Sequence, residues 1–503
     1  MPKLHWLPLA ALVLFLTAGL AAFGVVAGTA LRTQEQLDYG EGIVLWQATN
    51  VTDWAQAYHP VENYPHIVFH YPPVYHLTAR LMASTTGNLL AAGRLTSILS
   101  LLGSCLVMAL LTAVVLPSRS NPTARWLGAF SAGTLIFTTP VWTWACLMRV
   151  DTLAVFLSIT GLAIFILARR RPALAFLSFA CFVAAVYTKQ TMIAAPAACL
   201  LLCFMEKPRL SALLLAFAVL LGMPILFILQ TATHGLFLRH IISYNQNPLV
   251  VSHVFSRWIG HLSTLPALLM AVSVLFPVAL FWRRAGSVGG LLRRVRLALG
   301  HNTYERCVVV LAVYFWFAAA VATATIGKQG ASVNYFFEVD IAVCLLSGLF
   351  LGWVVRRASF RPRGPHAVLA SFVVALLLLH SVGNLLTLYM ARLAFVHPTS
   401  DHSEEVLGFV QGLPGPIYSE DMTLLMRAGK EIPAEPAIIT ALAMNKKWDE
   451  RGFVRRIEAG QFQAVIAHSL ENRELFTESV ARAVLQRYYL SREFGSFKVY
   501  QPK

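Results

Sequence analysis

Asp38-Tyr39-Gly40-Glu41 sets two carboxylates three residues apart, just beyond the first apolar segment of the chain. On a helical turn they share a face. A carboxylate there can take the proton of an attacking hydroxyl when burial or a like charge brings its pKa toward the working pH. Cations that would face an anion recur further along, at Arg149, Lys189, Arg239 and Lys328. Lys189 stands alone between two short apolar stretches, in Tyr187-Thr188-Lys189-Gln190-Thr191, where its ammonium would snorkel to an interface. Asp151 follows Arg149 by two positions and reads as a local ion pair at a helix start. Glu338 follows Asn334-Tyr335-Phe336-Phe337 at another helix start, where it either binds sugar hydroxyls or caps the helix. His234, His240, His253 and His261 share one loop without metal-like spacing and read as solvated or substrate-lining.

These residues need a frame, and composition supplies it. Of 503 residues, 57% are hydrophobic and only 13% charged. A soluble chain carries about twice that charge density. Eleven apolar stretches approach the roughly 17–25 residues that cross a bilayer. They run over 6–30, 93–116, 126–148, 150–168, 173–188, 190–205, 210–230, 263–282, 307–326, 341–355 and 366–389. The first reads as an uncleaved helix, being too long for a signal core. The fold class expected is a polytopic α-helical membrane protein with a small α/β domain at its C-terminal end.

The net charge of +16 invites a nucleic-acid reading, and its distribution removes it. With the N-terminus inside and each span reversing direction, the inside loops hold 18 bases and two acids. The outside loops hold nine bases and eight acids, and the tail 13 and 14. The excess is the positive-inside signal. Residues 1–397, with an outside loop at 31–92, form the membrane unit, and 398–503 an outside domain. All seven cysteines fall in apolar stretches, so no disulfide framework is expected.

Charges within the outside helix ends gather on one side, as Asp38, Glu41, Arg94, Arg149, Asp151, Lys189, Arg239, Lys328, Glu338 and Asp340. Tyr71-Pro72-Pro73 fixes an extended run and then a helix start, with Val74, Leu77 and Leu81 at helical spacing around His76. Gly87-Asn88 stops it. Such a helix either lies in the membrane interface or extends the next span. In the tail, 416–420, 464–467 and 497–500 read as strands, and 449–459 and 474–488 as helices.

The ordered set of Asp38-Tyr39-Gly40-Glu41, Tyr71-Pro72-Pro73-Val74-Tyr75-His76-Leu77, Gly93-Arg94-Leu95-Thr96-Ser97, Arg149-Val150-Asp151-Thr152, Thr188-Lys189-Gln190-Thr191 and Asn334-Tyr335-Phe336-Phe337-Glu338 resembles the GT-C superfamily of membrane glycosyltransferases. That group includes protein O-mannosyltransferases and the bacterial lipid A aminoarabinose transferase. The resemblance implies a sugar donor on undecaprenyl or dolichyl phosphate, and an Asp in the first outside loop as general base, which falls on Asp38. Many members carry adjacent acids, whereas here the second is Glu41, so the choice between Asp38 and Glu41 stays open.

The expectation is therefore an inverting hexosyl or pentosyl transferase of a cell's inner membrane, acting on the outside face. Lys189, then Arg239 and Lys328, would hold the donor phosphate. Tyr71, His76, Arg149, Asp151, Gln190, His240, Asn334, Tyr335 and Glu338 would bind substrate or support the site. No metal and no cofactor are expected beyond the lipid-linked donor. The partners expected are the bilayer and a glycan, lipid or protein acceptor. The alternative is a secondary transporter or lipid flippase, which would place ionisable groups near the midplane. His380 is the one such residue apparent in the sequence.

Overall fold

The computed structural model describes residues 6–117, 122–264, 267–281, 287–301 and 303–360, scattered positions between 368 and 392, and residues 403–503. Most of the expected span 366–389, His380 included, lies outside the described residues.

The first helix, α1 (Trp6–Arg32), is apolar until its last turn. Asp38 then caps α2 (Tyr39–Asn50), its Oδ1 accepting the Gly40 N–H at 3.1 Å. Sequence placed this stretch in a polar loop. It is instead a buried helix, apolar on two faces. Val44, Leu45 and Ala48 pack with Tyr75, Ala79 and Met148, while Ile43 and Trp46 pack with Met422 and Leu425 of the tail. A helix covered all round carries no amphipathic period, which is why the pattern did not show it.

The helix α3 (Val74–Thr86) forms where Pro72-Pro73 and Gly87 bound it. Gly87 ends it with a left-handed φ of +70°, and Asn88 caps α4 (Leu89–Val115) by accepting the Ala91 N–H. Thus α3 is a separate helix rather than an extension of the next. Tyr75, His76 and Ala79 face inward, and Leu77 and Leu81 stand exposed.

The expected span at 126–148 is broken. Helix α5 (Pro122–Thr134) gives way to a tight turn at Leu135–Thr138 and a short helix over Val141–Ala145. Pro140 has no N–H to continue the ladder, and Thr138 and Thr139 bond back to the carbonyls of Leu135 and Ile136.

Next come α6 (Asp151–Leu167), α7 (Pro172–Val186), α8 (Ala194–Glu206) and α9 (Pro208–Ala232). They are followed by α10 (Val251–Thr264), α11 (Ala267–Phe281), α12 (Val288–His301), α13 (Thr303–Ile326) and α14 (Phe337–Phe360). Two of these, α10 and α12, fall where loops were expected. Among the described residues, five helices are long and apolar enough to cross a membrane, with shorter apolar helices beside them.

The tail opens with α15 (Ser403–Gly412) and β1 (Ile417–Ser419), then α16 (Met422–Arg427), α17 (Pro436–Met444) and α18 (Arg451–Glu458). It closes with β2 (Ala464–Ala467), α19 (Glu478–Arg487), β3 (Tyr488–Phe494) and β4 (Phe497–Pro502). The sheet order is β1-β2-β4-β3, parallel between β1 and β2 and antiparallel elsewhere. β1 and β2 are buried throughout, as runs covered on both faces should be. Tyr418 and Val465 face α18 and α19, while Ile417 and Ile466 share a core with Ile43 and Trp46 of α2. That face of the sheet is covered by α15 of the tail together with α2 of the membrane unit.

Candidate active site

The break after α5 brings Met148 and Arg149 to the same end of the bundle as α2. Arg149 Nη2 meets Asp38 Oδ1 at 2.5 Å, with the two side chains 16% and 26% exposed. The guanidinium lies over the Trp144 ring, 5.1 Å from its centroid. Gly40 is required here, because a Cβ at that position would strike the Arg149 guanidinium.

Two residues on, Asp151 begins α6. The expected local pair with Arg149 does not form. Asp151 Oδ1 instead accepts Lys189 Nζ at 2.6 Å and Asn334 Nδ2 at 2.9 Å, and Oδ2 accepts Trp144 Nε1 at 2.8 Å. Lys189 does not snorkel as its isolated position suggested. Its side chain is 3% exposed, paired, and seated over Tyr335 at 4.6 Å. Lys189 carries three donors, so this one bond leaves two for another acceptor.

Glu41 takes a different place. Its Oε2 accepts the Leu37 N–H at 2.6 Å and Arg94 Nη2 at 2.8 Å. Its Oε1 accepts Arg94 Nε at 2.8 Å and the Met148 N–H at 2.7 Å. Arg94 spends its other donors on the carbonyls of Ala30, Thr33 and Glu35. Both side chains are fully buried. Four bonds fill the acceptor capacity of a carboxylate, and five fill the donor capacity of Arg. Glu41 is thereby an anchor for α1, α2, α4 and the Met148 loop, and the geometry corrects its candidacy as base.

Tyr71 lies within the field of the whole group. Burial holds its phenol above the ordinary range; Asp151, Tyr335 and Asp38 add to the rise and Arg149 opposes it. Glu338 accepts Ser158 Oγ at 3.0 Å and Tyr314 OH at 3.1 Å, so it is tied into the bundle rather than capping the helix in water.

Among the histidines, His76 and His240 are tied to the protein's own groups. His76 Nε2 bonds Gln47 Oε1 at 3.0 Å. His240 Nδ1 accepts the Phe69 N–H at 2.9 Å, and its Nε2 donates to the His59 carbonyl at 2.8 Å. Burial pushes His76 down to about 3 and His70 and His240 down to about 4, so all three are neutral at pH 7. The solvated role expected for His240 is overturned, and His261 is likewise buried against Asp340 at 2.9 Å.

Two expected phosphate ligands stand apart. Arg239 is 46% exposed and pairs with Glu62 at 3.0 Å across the surface of the first loop. Lys328 lies in a turn bridged to Leu249, its carbonyl held by Arg257 at 2.8 Å. Its ammonium makes no hydrogen bond or ion pair among the described residues. Gln190 spans the His70 and Ile241 carbonyls through Nε2 at 3.2 and 3.3 Å.

Three buried polar atoms near this group have no partner among the described residues: Arg149 Nε, Gln190 Oε1 and Asn334 Oδ1. Buried groups of this kind call for a partner, which a water or a polar ligand would supply. Trp144, which holds both Arg149 and Asp151, carried no signal in its apolar stretch. Among the described residues, no three His, Cys, Asp or Glu side chains gather as metal ligands.

No family model matches the sequence, and no curated protein matches it. Solved structures do. ArnT from Cupriavidus metallidurans bound to undecaprenyl phosphate superposes with a TM-score of 0.61 at 15% identity, covering 97% of each chain. The archaeal oligosaccharyltransferase AglB from Archaeoglobus fulgidus, in complex with an inhibitory peptide and a dolichol-phosphate, superposes with a TM-score of 0.54 at 13% identity. It is covered over 74% of its length by 96% of this chain. The chain therefore has the fold shared by ArnT and the archaeal oligosaccharyltransferase.

Proposed function

We propose that the protein is an inverting glycosyltransferase, moving a sugar from a polyprenyl-phosphate donor to an acceptor hydroxyl at the non-cytosolic end of the bundle in a cell's inner membrane. One observation supports this most: three separated segments bring Arg149 against Asp38 and Lys189 against Asp151, two ion pairs joined through the Arg149–Asp151 stretch of backbone, with the Arg149 Nε left over. The structural neighbours bound to undecaprenyl phosphate and to dolichol-phosphate lend the donor class.

In this reading Asp38 takes the proton of the acceptor hydroxyl, guided by Arg149. The acceptor oxygen forms its bond to the anomeric carbon on the face opposite the phosphate. The bond from that carbon to the phosphate oxygen breaks, and its electron pair stays on the lipid phosphate. Arg149 Nε and the two spare Lys189 donors stabilise the charge that builds there, a kind of contact worth ~3–4 kcal/mol. Arg149 replaces Arg239 beside Lys189, because Arg239 is committed to Glu62 in solvent.

The test is transfer in reconstituted vesicles from a radiolabelled polyprenyl-phosphate sugar. Transfer by the wild type and none by Asp38→Asn is expected. Full turnover by Asp38→Asn would overturn the assignment. Mass spectrometry of envelope glycans from cells lacking the protein identifies the sugar and the acceptor.

A further inference from the structure

The end of the bundle opposite Asp38 carries a second group of partly buried charge. Helix α6 starts at Asp151 and runs 17 residues to Leu167, a length of about 25 Å. Where it ends, a recess open to one side lies among the ends of α6 and α8 and the starts of α7, α9 and α13. Arg169, Lys207 and Arg306 line it, with Glu206 as its one acid and Phe165 and Leu210 among its apolar walls.

The three bases are not equivalent. Arg306 is 5% exposed, and it donates through Nη1 to Glu206 at 2.8 Å and to the Leu299 carbonyl of α12 at 3.0 Å. Its guanidinium lies over Phe165 at 5.2 Å. Its Nε is buried with no partner among the described residues. Lys207 reaches Glu206 only at 3.9 Å and is 47% exposed, and Arg169 makes no hydrogen bond or ion pair among the described residues. One acid against three bases leaves the recess positive. The starts of α7 and α9 border it at Pro172 and Leu210 and the ends of α6 and α8 at Ala168 and Glu206, so the helix dipoles offset one another and the positive charge comes from the side chains.

The surroundings are those of a lipid site. Just past Leu210, Leu213 and Leu215 are exposed on α9, a helix that is scarcely covered by the rest of the protein. On the other side, α12 buries Ala298 and Leu299 and exposes Leu292 and Leu297 beside Arg293 and Arg296. That mixed face is what a helix lying in a membrane interface presents. Basic recesses between spanning helices take anionic headgroups.

We propose that this recess binds the phosphate headgroup of an anionic membrane lipid, with the acyl chains lying along α9. Arg306 Nε and Arg169 would contact the phosphate, and Lys207 would close the mouth. The site is independent of sugar transfer.

Native mass spectrometry of the full-length protein tests it, with phosphatidylglycerol and phosphatidylcholine offered in equal amounts. The wild type should retain phosphatidylglycerol in preference. The double variant Arg169→Gln/Lys207→Gln leaves the Arg306–Glu206 pair in place, so it should fold. Its phosphatidylglycerol retention should fall by about five-fold for each base removed. Equal retention by wild type and double variant would overturn the site. Displacement of the lipid by excess inorganic phosphate would show a free-phosphate site and overturn the lipid as its occupant; persistence of the bound lipid supports it.

Discussion

The hydroxyl of Tyr39 donates a 2.5 Å hydrogen bond to Oε1 of Glu435, a residue 396 positions further along the chain. Tyr39 is the neighbour of Asp38, and Glu435 caps α17 by accepting the Ala437 and Ile438 N–H groups. The backbone also crosses here, since His66 N–H donates to the Pro433 carbonyl and Glu435 N–H to the His66 carbonyl. The tail domain therefore holds the turn that presents the proposed base. Tyr39→Phe should lower stability by about 0.5–1.5 kcal/mol, the net contribution of a typical intramolecular hydrogen bond. It should also slow transfer more than it weakens donor binding. Unfolding curves in detergent and steady-state rates check both.

The same contact makes stability depend on pH. Burial raises Glu435 to about 7, with the Tyr39 and backbone bonds opposing that rise. The folded state then holds a proton that the unfolded chain, near 4.5, has released. The stabilisation is present in full below about 4.5 and is lost as pH rises through about 7. Glu435→Gln should flatten that part of a stability–pH curve. An unchanged slope in the variant would remove Glu435 as its source.

Asp38 and Glu41 should separate cleanly. Asp38→Asn is expected to lower transfer by about 10²–10⁴, the range for a general base, with insertion and melting unchanged. Glu41→Gln leaves Arg94 buried with one charge uncompensated, at a cost of about 3–5 kcal/mol. Melting temperature and rate measured on both variants distinguish the base from the anchor.

Gly40→Ala tests the close approach of α2 to Arg149. A methyl group there would displace the guanidinium from Asp38. Transfer should drop at least ten-fold, since small misplacements of reacting groups carry penalties of that order. Expression and membrane insertion should stay normal.

Lys189→Ala and Arg239→Ala divide the cations. The first removes a buried charge that Asp151 faces, so donor use should collapse. The second removes half of an exposed pair with Glu62, for which the effect should be within about two-fold. Rates at several donor concentrations report the difference.

The strand β3 (Tyr488–Phe494) went unread, but the apolar helices, the tail strands expected at 416–420, 464–467 and 497–500, and the Pro72-Pro73 to Gly87 helix could be read directly. Each is governed by local pattern: a long apolar run, a short buried run, or residues that fix φ. The α2 helix and the break after α5 could not be read. The first is imposed by burial on two sides, and the second follows from the missing N–H of Pro140, which the long apolar run around it masks.

For the site, the scarcity of charge made Asp38, Arg149, Asp151 and Lys189 stand out in the sequence along with Arg239, Lys328 and Glu338, and the choice of Asp38 as base came from the family resemblance. Which charge meets which was decided only by the fold. Sequence adjacency suggested Arg149 with Asp151 and left Asp38 and Glu41 equal. Tertiary packing instead drew Lys189 to Asp151, gave Arg149 to Asp38, and consumed Glu41 in Arg94. The physical reason is that a buried ion is stable only when its bonds are completed, and the groups that complete them arrive from elsewhere in the chain.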